Sequence, residues 1–427
     1  MMSGDHTFSM TGRERNVLFG FMGLGLLCIV LTFFGDDAVH SRFWSNYLIN
    51  AVFFTGVSFV ALFILAAFTT AYTGWYIVVK RIWEGYAQFL IVGIILMLVL
   101  IIGLWGHFHH LYHWADEEAV ATDPVLLGKS GFLNKYWYTF GTLIILGTWY
   151  FAFARPMRKL SLREDVEGHD ANYSLYRKYK WFSAVFLPIG AFTSAAMIWQ
   201  WVMSVDAHWY STMFAWYTTA SWFVACMAIT IMLVLYLKGR GALPFVTTEH
   251  LHDLGKYLFA FSIFWTYLWF SQYMLIWYAN VGEETTYFHT RINEYPVLFY
   301  GNLVLNFVVP FFVLMRNDTK RKAGTLFFVA LVVLLGRFLD FFQMVKPGVL
   351  HTTHEALAHS GEAAATEAGH HASHFTAGFT IPGLLEIGTF FGFLALFIFF
   401  VFKQLEKAPL LPKNDPYLAE SLHHHVQ

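Results

Sequence analysis

Apolar runs of membrane-spanning length recur from one end of this chain to the other, and that fact restricts its fold more than any other. About 20 consecutive apolar residues in a helix cross the hydrocarbon layer of a bilayer. The runs fall at 15–34, 48–76, 84–112, 134–153, 180–204, 210–237, 250–279, 294–315, 323–345 and 384–403. In hydrocarbon every peptide group must find its partner within the protein, so each run reads as a helix. Apolar residues do not alternate with period two, which excludes a membrane β-barrel. The expected fold is therefore an all-α integral membrane protein with ten transmembrane helices, a single polytopic domain over residues 1–427.

Composition agrees. The chain is 57% hydrophobic and 13% charged, where a soluble domain carries roughly 25% charged residues. A formal net charge of −1 offers no attraction for nucleic acid. Residues 1–14 are polar and the run after them lacks a small-residue cleavage pattern, so no removable signal peptide is expected. Cys28 and Cys226 both sit in apolar runs and read as packed thiols.

Lys and Arg set the orientation. With the N-terminus inside, the inner segments collect Arg13 and Arg15, Lys80 and Arg81, the dense stretch from Arg155 to Lys180, Lys238 and Arg240, Arg316 to Lys322, and the C-terminal lysines. The outer loops hold Arg42, Lys129, Lys135, Arg291 and Lys346. The positive-inside rule then puts both termini in the cytoplasm of a bacterial inner membrane. Two segments lie outside the spans: a charged cytoplasmic loop at 155–180, and a periplasmic loop at 347–380 rich in Ala, Glu and His. That second loop, with His351, His354, His359, His370, His371 and His374, reads as a solvated or partner-covered loop, or as a metal-binding one. His423, His424 and His425 read as a flexible end or a tag remnant.

Ionisable groups in hydrocarbon are costly and are candidate functional sites by default. The third span ends in Trp105-Gly-His107-Phe-His109-His110-Leu-Tyr112-His113, with His107, His110 and His113 at three-residue spacing. The fifth ends in Trp199-Gln-Trp-Val-Met203-Ser-Val-Asp206-Ala-His208. The ninth carries Arg337 and Asp340. All three groups lie toward the outer face. Imidazole and carboxylate can accept the two protons released when a hydroquinone is oxidised, and aromatic rings and Met can flank its ring. Asp206 and His208 are the candidate catalytic pair, and His107, His110, Trp199, Met203 and Asp206 the candidate quinol contacts. Helix-end anchoring is the alternative for the histidines, and a structural ion pair for Arg337 and Asp340.

Near the inner face, Glu249, Asp253 and Lys256 share one face of the seventh span, which continues through Tyr267 and Ser271. With Arg337 and Asp340 these are candidates for a proton path; ordinary interhelical hydrogen bonds are the alternative. Glu386 reads as structural. No metal site, haem ligation, iron–sulfur motif or nucleotide loop is expected in the chain, so no redox centre either.

The strings Trp199-Gln-Trp-Val-Met-Ser-Val-Asp206-Ala-His208, His252-Asp-Leu-Gly-Lys256 and Phe270-Ser-Gln-Tyr-Met-Leu-Ile-Trp-Tyr-Ala-Asn280 resemble the membrane subunits of the NrfD and polysulfide-reductase type. Those of alternative complex III, a bacterial quinol:cytochrome c oxidoreductase, are the nearest in kind. The resemblance implies two four-helix bundles, helices 2–5 and 6–9, plus two flanking helices. It implies a paralogous NrfD-like subunit and multihaem cytochrome c and iron–sulfur subunits as partners, in membrane lipid. It also implies a quinol pocket (menaquinol or ubiquinol) at the outer face, built partly from an Asp placed like Asp206. The chain would then be part of an oxidoreductase without being catalytic alone. A structural scaffold of such a complex and an independent secondary transporter remain the other readings.

Overall fold

The computed structural model describes residues 7–36, 39–359, 378 and 380–425. Long helices follow one another along the chain: α1 (Gly12–Phe34), α2 (Ser41–Thr70), α3 (Trp75–Trp105), α4 (135–167), α5 (Ser174–Val205), α6 (Met213–Gly239), α7 (Thr248–Ala279), α8 (Pro296–Leu314), α9 (Ala323–His359) and α10 (Leu384–Leu405). Eight of these, α1 to α3, α5, α6 and α8 to α10, are long and apolar enough to cross a membrane. The protein is an all-α, multi-pass membrane protein. The runs at 134–153 and 250–279 are helical as well, in α4 and α7, but Tyr, Trp, Thr and Gly dilute the apolar character of the first, and Asp253, Lys256, Gln272 and several Tyr and Trp that of the second.

Helix α2 is the centre of the packing. Of its most apolar stretch, 89% is buried, against 17% for α1. It contacts α3, α5, α6, α9 and α10. Helix α1 instead lies along α10, its leucines and phenylalanines facing outward as a lipid-exposed surface would. Gly25 and Gly392 allow the approach: a Cβ on Gly25 would stand 2.4 Å from the Gly392 Cα. Small residues let membrane helices touch backbone to backbone. Helix α6 packs against α7 and α9, and α7 against α8.

Four helices carry irregularities, and those of α4 and α8 match in kind and place. Both α4 and α8 open into a π-helical turn, at Thr148–Ala154 and Val304–Val308. In each case a proline, Pro156 or Pro310, follows two residues after the turn. Helices α5 and α9 each contain a proline, Pro188 and Pro347. Proline lacks an amide hydrogen and crowds the carbonyl four residues back, so local widening is the expected response.

Three boundaries differ from the sequence expectation. Residues 155–167 are helix, a continuation of α4, so only a few residues of the 155–180 segment form a loop. Helix α9 runs past Pro347 to His359. The backbone of His351, His354 and His359 is therefore helical, while His370, His371 and His374 lie outside the described residues. The C-terminal segment is docked: Ser421 accepts from the Val78 amide and donates to the Trp75 carbonyl, and His424 lies 2.6 Å from Asp253.

Candidate functional site

The end of α5 builds the first part of the site. Its regular helix stops at Trp201, a short 3-10 turn covers Met203–Val205, and Asp206 to Trp209 turn across the end of the bundle. A cavity of about 330 Å³ opens there, lined by Trp199, Met203, Ser204, Trp209, Phe132 and Lys129 among others. The Lys129 ammonium donates to the carbonyls of Ala207 (2.6 Å) and His208 (3.2 Å), which fixes the turn. The indole N–H groups of Trp199 and Trp209 are buried and have no partner among the described residues. A buried donor without a partner costs free energy and points to an acceptor that is supplied from elsewhere.

Asp206 stands beside this cavity without lining it. Its Oδ2 accepts from Arg291 Nη2 at 2.8 Å, and its Oδ1 rests against Gly348, where a Cβ would come within 2.8 Å. Arg291 comes from the Gly282–Asn293 helix and is 2% exposed. Burial opposes its charge, but Tyr287 and Asp206 outweigh that and leave its pKa raised. Its guanidinium covers the Tyr287 ring at 3.3 Å, and Tyr287 stacks on Trp209 at 3.9 Å. The ion pair and the cavity wall are thus mechanically joined. His208 points elsewhere and pairs with Asp123. That hydrogen bond holds the Asp123 carboxyl below its usual range.

The histidine stripe expected at the end of the third span does not form. Helix α3 ends at Trp105, and the Phe108 amide reaches back to the Gly103 carbonyl at 2.9 Å. His107 takes the left-handed conformation, φ 53°, that such a helix ending demands. Three-residue spacing has no meaning after that point. His107 and His110 are exposed, away from the cavity, and His113 lies beside His208 with ring centres 5.6 Å apart.

The second part of the site is a fully buried polar cluster among α6, α7, α8 and α9. Asp340 accepts hydrogen bonds from four side chains: Tyr217, Ser221 at 2.7 Å, Trp265 at 2.9 Å and Asn302 at 2.8 Å. Arg337 lies 3.6 Å from it, stacks over Trp265 at 4.1 Å, and donates to the Asn306 carbonyl at 3.3 Å. That carbonyl is the one Pro310 leaves without an amide partner. Arg291 repeats the arrangement: its Nε donates at 3.2 Å to the Gln343 carbonyl, four residues before Pro347. Asn302 also donates to the Gln343 side chain at 3.2 Å. Polar contacts thus reach Gln343 from two sides: Arg291, paired with Asp206, meets its main-chain carbonyl, while Asn302, bound to Asp340, meets its side-chain oxygen.

On the other side of Asp340 the interior turns apolar. Between Asp253 and Ser262 the buried residues of α7 are Leu254, Gly255 and Leu258. Helix α9 faces them with Leu326, Val329, Ala330 and Val333. This layer is roughly 13 Å deep at the helical rise.

Asp253, on the face of α7 singled out in sequence, is buried, but beyond Lys256 that face points outward. Tyr267 is 63% exposed, Ser271 is half-buried, and Met274 and Tyr278 are exposed. Glu249 pairs with Arg321 at 2.9 Å. Asp253 pairs with Lys256 at 3.0 Å and with His424. The inward polar residues are instead Ser262, Trp265 and Gln272, and atoms of Ser262 and Gln272 lack partners among the described residues. Tyr217, Ser221, Asn302 and Asn306 also escaped the sequence reading. Their polarity is weak and each stands alone in an apolar run, so only a helical-wheel comparison across several helices could have found them. A separate buried network, Lys80–Asp415 at 2.6 Å with Arg81, Glu84, Arg158 and Asp165, ties the basic end of α3 to α4 and the C-terminal segment.

In comparisons with known proteins, no family model matches the chain and no curated protein is significantly similar to it. It is an integral, multi-spanning α-helical membrane protein. Any narrower assignment rests on the residues described above and on the sequence resemblance.

Proposed function

We propose that this chain is a membrane subunit of a respiratory quinol:cytochrome c oxidoreductase of the NrfD type, akin to the ActF subunit of alternative complex III. It contributes a quinol pocket at the end of α5 and a path that carries protons between Asp206 and Asp340. The observation that carries this reading is the set of buried polar contacts that approaches Gln343 from both carboxylates, beside an aromatic cavity whose Trp199 and Trp209 indoles lack partners among the described residues.

A cavity of about 330 Å³ is within the size of small-molecule sites, and Trp199, Met203 and Trp209 suit a quinone ring with two polar oxygens. Asp340 with its four donors is a group that can hold or release a proton while its surroundings stay in place. The apolar layer beyond it would keep protons from leaking to the opposite face. Two buried cysteines cannot hold an iron–sulfur cluster, so electrons would leave through a haem- or cluster-bearing partner. Ten spans in an inner membrane, with both termini cytoplasmic, complete the proposal. The matched π-turns of α4 and α8, each followed by a proline, support two four-helix units, α2–α5 and α6–α9.

A scaffold is the second reading, favoured by the tight pairing of Asp206 with Arg291. The test is Asp206→Asn and Asp340→Asn in the purified complex. On the quinol reading the subunits remain together, quinol oxidation falls at least about tenfold in Asp206→Asn, a rise of about 1.4 kcal/mol in the barrier, and Asp340→Asn loses proton release in vesicles. Full activity in both variants would establish the scaffold.

A further inference from the structure

A second recess, about 550 Å³, lies where α4 leaves its apolar stretch, between α3, α4 and α10. Its lining is strongly basic. Arg155, Arg158, Lys159, Arg163 and Lys407 face a single carboxylate, Glu167. That carboxylate is already bound twice by Arg163, at 2.9 and 3.0 Å. Arg158 is likewise committed, to Glu84 at 3.1 Å and to the Gln404 carbonyl at 2.8 Å. Lys407 meets only the neutral Gln404 side chain, at 3.3 Å. Arg155 and Lys159 have no side-chain partner among the described residues. They stand four residues apart, hence on one face of the helix.

We propose that this recess holds the headgroup of an anionic phospholipid, its phosphate bound by Arg155, Lys159 and Lys407. Two features choose a lipid over a soluble anion. Phe151, four residues before Arg155 on α4, is 54% exposed and offers an apolar bed for acyl chains beside the cations. Tyr150 lines the recess at the level where chain apolarity gives way to charge, as aromatic rings do at a bilayer boundary. The recess also opens on the face richest in Lys and Arg, where basic pockets between helices meet anionic headgroups.

The test uses the full chain, with whatever subunits co-purify, in nanodiscs of phosphatidylcholine with and without phosphatidylglycerol. Retained lipid is counted by native mass spectrometry after gentle release. The wild type should retain phosphatidylglycerol in preference to phosphatidylcholine. Each cation near the surface contributes roughly fivefold, so R155Q/K159Q should lose on the order of twentyfold of that preference. R155K/K159R, which keeps both charges, should retain it. Lys407→Gln, on a different segment, should lower it alone by about fivefold and serves if the double variant fails to fold. Equal retention of both lipids by the wild type, or full preference in Lys407→Gln and R155Q/K159Q, overturns the proposal. Displacement of all bound phosphatidylglycerol by millimolar glycerol phosphate would assign the site to a soluble anion and overturn it as well.

Discussion

Arg291 occupies the hydrogen-bonding place on the Gln343 carbonyl that the backbone of Pro347 cannot fill. The same guanidinium holds Asp206 and covers Tyr287. One side chain thus fastens α9, the turn after α5 and the wall of the cavity.

Lysine at this place keeps the charge but loses the planar fork. Arg291→Lys should destabilise the protein by about 2–4 kcal/mol, since Gln343 and Asp206 both lose donors inside the protein. Adding Pro347→Ala restores the missing amide and should recover part of that loss. Unfolding of the single and double variants in detergent measures the coupling, and strictly additive effects would show that the carbonyl is not shared.

Asp340 has more donors than any neutral replacement can satisfy. Asp340→Ala leaves Tyr217, Ser221, Trp265 and Asn302 facing an empty space beside Arg337, at a cost of about 3–5 kcal/mol. Asp340→Asn keeps the shape and accepts through its one oxygen, so it should cost less than half as much. Thermal unfolding of the two variants side by side checks the order.

Glu164 sits outside the apolar stretches, near Lys80 and Asp415. Burial is the main influence and raises its pKa from 4.5 to about 7, against the pull of Lys80. A raised carboxyl binds its proton more tightly in the folded state than in the unfolded one. Stability from this group is therefore fully present below about pH 4.5 and is lost as pH rises through about 7. Glu164→Gln should melt higher than the wild type at pH 8 and show little difference at pH 5. A constant gap across that range would remove the titration.

Gly25 and Gly392 meet at the closest approach of α1 and α10. Gly25→Val should force the pair apart, because the atom it meets is backbone and cannot rotate away. Faster hydrogen exchange across 12–34, with the other helices unchanged, is the expected readout.

The helices themselves were legible because apolar runs dictate them, polar loops notwithstanding. The site was legible only in part. Asp206, Arg337 and Asp340 stand out as ionisable groups in hydrocarbon, and Trp199 and Met203 as ring-flanking residues just before Asp206; the structure puts each beside or within a buried polar region. His107 and His110 fail because Gly106 ends the helix before them, and a spacing argument presupposes an unbroken helix. Tyr267 and Ser271 fail for a different reason. Helix α7 carries aromatic residues all round, so its exposed and buried faces look alike until neighbours are placed. Arg291 was missed because an arginine between spans reads as a loop charge; nothing local announces that α9 bends a free carbonyl toward it.

Two prolines, each answered by an arginine from another segment, have a mechanical consequence. A helix with an open carbonyl could slip or hinge at that point, but here the opening is bolted to a neighbour by a side chain whose charge is itself engaged. Sliding α8 along α9 would strip the Arg337 contact, and sliding α9 past the end of α5 would strip those of Arg291. On the proposed reading, a proton handed between Asp206 and Asp340 would move by rotation of side chains in a stationary frame, and not by rocking one half of the protein against the other.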